Sequence, residues 1–160
     1  MQEIQNLDEE NIAAMPKRIL AFLIDELAVS ILLLIIFYDP IMAIVASFPS
    51  ELTADSQLLL QQNIIAFSQD NLFLIIALKV SYHTFLIWQN KGMTLGKYLL
   101  KIRVISLFDH GAPTFSYALV RAVLRLLNDL FFYLGFIMAF FLPLKQTFHD
   151  KIAKCVVVDV

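Results

Sequence analysis

An apolar run from Ile19 to Phe37 constrains this chain more than any other feature of its sequence. The run is nineteen residues long and is interrupted only by Asp25, Glu26 and Ser30. As a helix that rises ~1.5 Å per residue it would span ~28 Å, about the thickness of the hydrocarbon core of a bilayer. The chain is 59% hydrophobic and only 16% charged, whereas soluble domains have about 25% charged residues. We therefore predict a transmembrane helix over residues 19–37 of an integral membrane protein.

Two later apolar runs indicate further membrane segments. The run Leu72–Trp88 is seventeen residues long and predicts a second transmembrane helix over 72–88. The run Leu130–Leu144 has fifteen residues without a charge, a length that suits either a third, short transmembrane helix or a re-entrant helix. The predicted fold is an all-α membrane protein with two to three transmembrane helices plus a re-entrant or amphipathic helix.

A single membrane domain, residues 1–160, accounts for the chain, because no internal repeat divides it. Lysine and arginine accumulate in cytoplasmic loops. Residues 38–71 have none, whereas residues 89–125 have six. We therefore expect a multi-pass protein of the cell inner membrane with a cytoplasmic N-terminus. The predicted connections are a polar N-terminal lead-in (1–18), an outer loop (38–71) with a short surface helix over Leu58–Phe67, a cytoplasmic basic segment (89–129) and a tail (145–160).

Two short segments are rich in β-branched residues, as strands are: Ile102–Leu107 and Ala153–Val160. A strand this short needs a partner. If the two segments pair, they form a small cytoplasmic two-stranded β element and must lie on one side of the membrane. Residues 130–144 would then re-enter, or form a tilted helical hairpin with Phe115–Asn128. A plain three-span topology is the alternative.

Asp25 is the most informative polar residue, because a carboxylate inside a membrane helix costs ~2.5–3.5 kcal/mol on insertion scales. Arg18 projects from the same helix face, but it lies ~10 Å away along the axis and cannot easily pair with Asp25. Asp25 therefore needs a partner from another segment. Lys79 and His83, four residues apart on one face of the second helix, are the candidates, and Glu26 is a weaker companion.

A further charged stripe leads into the last apolar run, since Arg121, Arg125 and Asp129 follow one another in four-residue steps. Two interpretations of the buried charges stay open. In the first, Asp25 binds a cation or carries a proton in a polar pathway, with His83 as a titratable neighbour. In the second, the charges are ion pairs that fix helix packing. A third role, open to Arg121 and Arg125, is binding of anionic lipid headgroups.

The motif GMTLGK contains Gly92, Thr94, Gly96 and Lys97. Its glycines are four residues apart and not five as in a phosphate-binding loop, so we do not expect a nucleotide site. A tight turn is the better interpretation, with Thr94 as the cap of a helix that begins near Leu95. Lys97 would then lie at the level of the lipid headgroups.

Composition and spacing exclude other classes of protein. The net charge of -2 gives no support to nucleic-acid binding. The three histidines, His83, His110 and His149, have no metal-ligand spacing. Cys155 is the only cysteine, and no serine or cysteine has a neighbouring base typical of a nucleophile. We expect no enzymatic activity, no metal and no cofactor.

Four motifs follow one another along the chain: PKRILAFLID (Pro16–Asp25), KGMTLGK (Lys91–Lys97), IRV (Ile102–Val104) and KQTFHDKIA (Lys145–Ala153). In this order they resemble the RDD family of small integral membrane proteins, over the chain from about Pro16 to Val158. The family is named for one arginine and two aspartates. The resemblance assigns these positions to Arg18, Asp25 and Asp150.

For the RDD family transport is the usual suggestion, and sodium–proton exchange is proposed for some members. The resemblance therefore implies transport of a small solute or ion, coupled to protons or sodium, through a polar centre of Arg18, Asp25 and Asp150. The alternative is a non-transporting membrane subunit or assembly factor in which buried charges specify helix docking. Two or three spans, surrounded by lipid, cannot enclose a pathway, so transport would require a homo-oligomer or a larger membrane partner.

Two structural outcomes bear on these alternatives. We expect Arg18 and Asp150 to pair, with their charged tips within ~6 Å. A water-accessible cavity that reaches Asp25 would favour transport, whereas a dry ion pair would favour packing.

Overall fold

The computed structural model describes residues 12–49, 51, 53–130, 139–142 and 144–160. Over these residues the chain is mostly helical, with one two-stranded antiparallel sheet. The predicted all-α membrane fold with a small β element is confirmed. In chain order the elements are α1 (Met15–Ile36), α2 (Tyr38–Ala46), α3 (Ala54–Asp70), α4 (Leu72–Gln89), α5 (Leu95–Leu99), β1 (Ile102–Ser106), α6 (Phe115–Leu130), α7 (Phe148–Ile152) and β2 (Cys155–Asp159).

Helices α1 and α4 are the two candidate membrane spans among the described residues, with 22 and 18 residues. They match the predicted spans closely. α1 begins four residues before the predicted start, because Pro16 fits the first helical turn, where its missing N–H costs no hydrogen bond. Large apolar side chains of both helices face outward, since Leu27 is 62% exposed and Phe73 is 85% exposed. Such surfaces suit contact with lipid tails and not with water.

Residues 38–71, predicted as an outer loop, are largely helical. α3 contains the predicted helix over Leu58–Phe67 and begins at a Thr53 cap, whose hydroxyl accepts a hydrogen bond from the backbone N–H of Ser56 at 3.2 Å. α2 is not predicted, because Asp39 and Pro40, which follow the first apolar run and suit a loop, lie instead in the first turn of this helix. No residue of α2 or α3 is buried within the chain.

The two predicted strands pair in the structure. β1 and β2 are antiparallel, with Ile102 opposite Asp159, and Ile12 adds one bridge to Val158. One side of this sheet packs against Ala21 of α1, so the start of α1, both strands and the tail form one small core. The buried apolar residues of the strands in this core are Ile102, Val104, Cys155 and Val157.

This pairing constrains how the chain crosses a bilayer. Hydrogen-bonded strands cannot be separated by the hydrocarbon core, so β1 and β2 lie on one side of the membrane. This pairing does not fit a plain three-span topology, in which the two strands would lie on opposite sides of the membrane. The segment 130–144, predicted as a third span or a re-entrant helix, lies largely outside the described residues.

We predict that the two chain ends lie on the same side of the membrane, because Ile12 is bridged to Val158. A reporter fused to the N-terminus and the same reporter fused to the C-terminus should be active in the same compartment. A reporter inserted after Phe48, between α2 and α3, should be active in the opposite compartment. Activity of the two terminal fusions on opposite sides would contradict the arrangement.

Candidate functional site

Helix α1 presents one buried stripe to the rest of the chain. Its buried residues, Met15, Arg18, Ala21, Asp25 and Val29, are three or four positions apart and therefore lie on one helix face. Arg18 is 6% exposed and Asp25 is 0% exposed. A buried charge is unfavourable unless it is paired and hydrogen-bonded. The partners of Arg18 and Asp25 therefore decide what packs on this face.

The carboxylate of Asp25 is held by groups from α4 and from the start of α5. The hydroxyl of Thr94 donates to Oδ2 at 2.6 Å, and the backbone N–H of Gly96 donates to Oδ1 at 2.9 Å. The hydroxyl of Tyr82 donates to Oδ1 at 3.3 Å. The ammonium of Lys97 lies 3.6 Å from Oδ2. Asp25 thus has partners from other segments, as predicted.

Lys79 and His83, the predicted partners of Asp25, are not among the groups that hold its carboxylate. Lys79 instead lies with its Nζ 3.2 Å from a carboxylate oxygen of Glu26. His83 is buried edge-on against the ring of Tyr82 at 5.0 Å, and neither ring nitrogen has a hydrogen-bond partner among the described residues. The spacing predicts the correct face of α4. However, Tyr82, three residues after Lys79 on that face, is the side chain that reaches Asp25.

The turn predicted at the GMTLGK motif is present. Gly92 has a φ of 89°, and α5 begins at Leu95 after the N-cap residue Thr94. The hydroxyl of Thr94 makes no cap hydrogen bond to α5; it donates to Oδ2 of Asp25 and accepts from the ammonium of Lys97 at 3.2 Å. Asp25 itself accepts the N–H of Gly96, a hydrogen bond that a cap residue usually makes. A carboxylate of α1 therefore replaces the predicted threonine cap of α5.

Gly96 allows this contact because it brings two backbones together. A Cβ atom at Gly96 would overlap the carbonyl oxygen of Ala21. The next side chain, Lys97, then enters the interior beside Asp25 and is 6% exposed, so it does not lie on the protein surface. The three-residue spacing of Thr94 and Lys97 puts both on one face of α5, but it does not indicate that this face meets Asp25.

The surroundings of Lys97 change its protonation. Burial lowers the pKa of Lys97 to about 7, Asp25 opposes this shift, and the guanidinium groups of Arg121 and Arg125 reinforce it. An amine with this pKa gains and loses a proton near neutral pH. Lys97 is therefore a group that can carry a proton in the interior.

A second carboxylate, Asp150, lies at the other end of the site. Arg121 of α6 contacts its Oδ1 through Nε at 2.8 Å and Nη2 at 2.7 Å. The hydroxyl of Thr147 donates to Oδ2 at 2.8 Å. The Nη1 atom of Arg18 lies 3.9 Å from Oδ2, so the predicted pair is confirmed, although Arg121 is the closer partner. These cations hold the pKa of Asp150 well below its usual range, against the effect of burial.

Arg18 makes its strongest contacts with backbone carbonyls. Its Nε donates to Ala13 at 3.1 Å, its Nη2 donates to Val157 at 2.8 Å, and its Nη1 donates to Lys145. The planar guanidinium presents several donors in a fixed geometry, which suits such multiple contacts. One side chain of α1 thereby ties the start of the chain, strand β2 and the segment before α7 together.

Glu26 forms a third cluster with two of the predicted candidates. Arg125 of α6 donates from Nη2 to Oε1 of Glu26 at 3.1 Å and lies 4.8 Å from the ring centre of Phe22. Arg121 and Arg125 are both buried and paired with carboxylates, which favours the ion-pair interpretation over the headgroup binding that was also open to them. The side chain of Asp129 lies outside the part of the chain that the structure describes.

A cavity of about 30 Å³ lies between these clusters. Such a volume can hold one or two water molecules. Asp25 is not among the residues that line it, but its partner Lys97 is. The structure thus brings Arg18 and Asp150 together directly and connects Asp25 to them through Lys97. The charged residues on the cavity wall are Arg18, Lys97, Arg121, Arg125 and Asp150.

The site offers hydrogen-bond donors and protonatable groups. Among the described residues, no group of three His, Cys, Asp or Glu side chains could hold a metal ion.

Comparison with known families gives one match, in which residues 12–154 fit the model described as the RDD family. No curated protein and no solved structure matches the chain.

The close approach of Gly96 to Ala21 gives a testable prediction. Gly96→Ala should lower the free energy of unfolding by about 1–3 kcal/mol, because α5 must move away from α1 and weaken the hydrogen bond to Asp25. Denaturant unfolding of the purified protein in detergent measures this. Gly111→Ala is the matched control, since its Cβ would lie 3.3 Å from the side chain of Asp109. Equal stability of the two variants would contradict the predicted overlap.

The buried histidine beside Asp150 predicts sensitivity to acid. Burial lowers the pKa of His149 to about 3, so below pH 6.5 the unfolded chain binds a proton that the folded chain does not. Stability should therefore fall as the pH drops below 6.5, by ~2 kcal/mol at pH 5. It should fall further below pH 4, because Asp150 is then protonated in the unfolded chain while its lowered pKa keeps it charged in the folded chain.

Unfolding measured between pH 7 and pH 4 tests this sensitivity. His149→Gln should remove the part of the loss between pH 6.5 and pH 5 that this histidine contributes, ~2 kcal/mol. His110→Gln, at an exposed histidine, should retain it. A wild-type stability that stays constant from pH 7 to pH 5 would show that His149 does not act in this way.

Proposed function

The chain belongs to the RDD family of membrane proteins, and from that premise we propose that it takes part in the proton-coupled movement of a small ion or solute across the cell inner membrane. The observation that carries the proposal is the position of Lys97. Its ammonium lies 3.6 Å from Asp25, and its side chain also lines the cavity that contains Arg18 and Asp150. A protonatable group thus connects the three residues that name the family.

Lys97 can lose its proton without leaving Asp25 unsatisfied. In the charged form its ammonium faces Oδ2 of Asp25. In the neutral form Asp25 still accepts hydrogen bonds from Thr94, Gly96 and Tyr82. A pKa of Lys97 near 7 makes both forms accessible at neutral pH. We assign the exchanged proton to Lys97 for this reason.

Coupling to protons fits the site better than coupling to sodium. A sodium ion needs oxygen lone pairs, but the carboxylate of Asp25 already faces N–H and O–H donors. Binding of sodium there would displace the backbone N–H of Gly96 and disturb the start of α5. Lys97 changes its charge with no such rearrangement.

We further propose that the N-terminus is cytoplasmic and that the working unit is a homo-oligomer or includes a larger membrane partner. The orientation follows from the lysine and arginine residues, which are absent from residues 38–71 and frequent in residues 89–125. The assembly follows from the two candidate spans, since their outward apolar faces suit lipid or further helices. We expect no enzymatic activity.

A second function, a non-transporting membrane subunit, is supported by the burial of Asp25. Its carboxylate is 0% exposed and does not line the cavity. The cavity does not reach this carboxylate, and a buried ion pair such as the one it forms with Lys97 can serve to fix packing. In that role the site holds the fold together while the exposed faces of the spans bind a partner.

Proton movement in reconstituted vesicles distinguishes the two functions. Vesicles that contain a pH-sensitive dye would be exposed to a gradient of choline chloride, in which chloride is the test ion, or of sodium gluconate, in which sodium is the test ion. Lys97→Gln should reduce proton movement to the level of empty vesicles, because glutamine can donate to Asp25 but carries no exchangeable charge. Lys101→Gln, an exposed lysine nearby, is the matched control and should keep wild-type movement.

Two further variants complete this test. Asp25→Asn and Arg18→Ala should insert into the membrane but lose proton movement if the protein is a carrier. In a subunit, Asp25→Asn should instead reduce co-purification with a partner. Wild-type proton movement in Lys97→Gln would show that Lys97 is not the exchanging group.

A further inference from the structure

We propose that the cavity between Lys97 and Asp150 binds one small inorganic anion, such as chloride. The wall of this cavity is strongly positive. Only one of its charged residues is a carboxylate, Asp150, and the other four are cations. Each of these five residues is buried, so water screens their charges little. The cations are Arg18, Lys97, Arg121 and Arg125.

Carboxylates behind the wall do not balance this charge. Asp25 pairs with Lys97, and Glu26 is shared between Arg125 and Lys79. Among the side chains that the structure describes, these clusters contain five basic and three acidic residues, which leaves two positive charges when Lys97 is protonated and one when it is neutral. His149, with a pKa of about 3, adds none at neutral pH. An unbalanced buried charge costs several kcal/mol, and an anion in the cavity reduces the imbalance.

Arg125, one of the residues that line the cavity, has an unused donor. The Nε atom of Arg125 is buried and has no hydrogen-bond acceptor among the described residues, although Nη2 of the same side chain donates to Glu26. Arg125 is 5% exposed. A buried N–H without an acceptor is costly. An anion in the cavity would accept this hydrogen bond.

The size and charge of the cavity select the ligand. A volume of about 30 Å³ is enough for one or two particles of the size of water. A monatomic anion fits this space, whereas a phospholipid headgroup is too large. Cations would be repelled by the four positive side chains.

Anion binding also connects to the protonation of Lys97. Arg121 and Arg125 contribute to the lowered pKa of Lys97, and a negative ligand opposes their effect. The anion and the proton would therefore enter the site together. The identity of the moved ion rests on the proposed function, whereas binding of the anion does not.

Thermal unfolding in detergent tests the binding. The protein is heated in sodium chloride and in sodium gluconate at the same sodium concentration, because gluconate is too large for the cavity. Chloride should raise the apparent unfolding temperature of the wild type in a saturable way, by about 5–10 °C when it is in roughly hundredfold excess over its dissociation constant. Equilibrium dialysis with radioactive chloride should give one bound ion per chain.

Three variants give the test its specificity. Arg125→Gln can keep a hydrogen bond to Glu26 but removes the positive charge and the Nε donor, and should abolish the chloride-dependent shift. Lys97→Gln should reduce chloride affinity at least tenfold and serves if Arg125→Gln does not fold. Arg103→Gln is the matched control, since the Nε of Arg103 is also buried without an acceptor among the described residues but the residue does not line the cavity. It should retain the wild-type shift.

Two results would overturn the inference: equal stabilisation of the wild type by chloride and gluconate, or full chloride binding in both Arg125→Gln and Lys97→Gln. The outcome is separable from that of the proposed function. Proton movement in vesicles without chloride binding would reject the anion site alone. Chloride binding without proton movement would support the anion site and reject the proposed transport.

Discussion

The free-energy cost of burying charged side chains in the membrane helix α1 determines which segments of this protein pack together. α1 carries Arg18 and Asp25 on a face that is otherwise apolar, and neither is exposed. Neither charge can be satisfied by its own helix, because the backbone groups there are already hydrogen-bonded to one another. The chain must therefore supply partners from elsewhere. The start of α5 and the C-terminal tail pack on α1 for this reason.

The two charges act differently in the fold. Asp25 accepts a hydrogen bond from the backbone N–H of Gly96 and so holds the short helix α5 against α1. This contact places Lys97 in the interior. Arg18 donates to three backbone carbonyls and so holds separate segments at one point, close to Asp150. The cavity lies between these two anchors. The cavity wall is positive because the arginines and the lysine that pair with the buried carboxylates also line it.

The candidate site was predictable only in part. Arg18 and Asp150 could be paired from the resemblance, because the family's named residues had to meet somewhere near one membrane boundary. Lys97 and Tyr82 could not be assigned to Asp25. Lys97 lies in a polar motif that suits an exposed turn, and its inward direction depends on how closely Gly96 approaches α1. Spacing along a helix identifies a face, but it does not say which side chain of that face reaches a given atom.

The sequence by itself determined the two spans, the turn at GMTLGK and the two strands, because length, hydropathy, glycine and β-branched residues act locally. Membrane character follows from the same local terms. The tertiary structure decided which charges pair, that the strands share one side, and that a cavity exists. These properties depend on where distant segments return to α1, as Asp150 does through Arg121. Electrostatic partners are selected by distance and burial in space, and sequence separation carries no information about either.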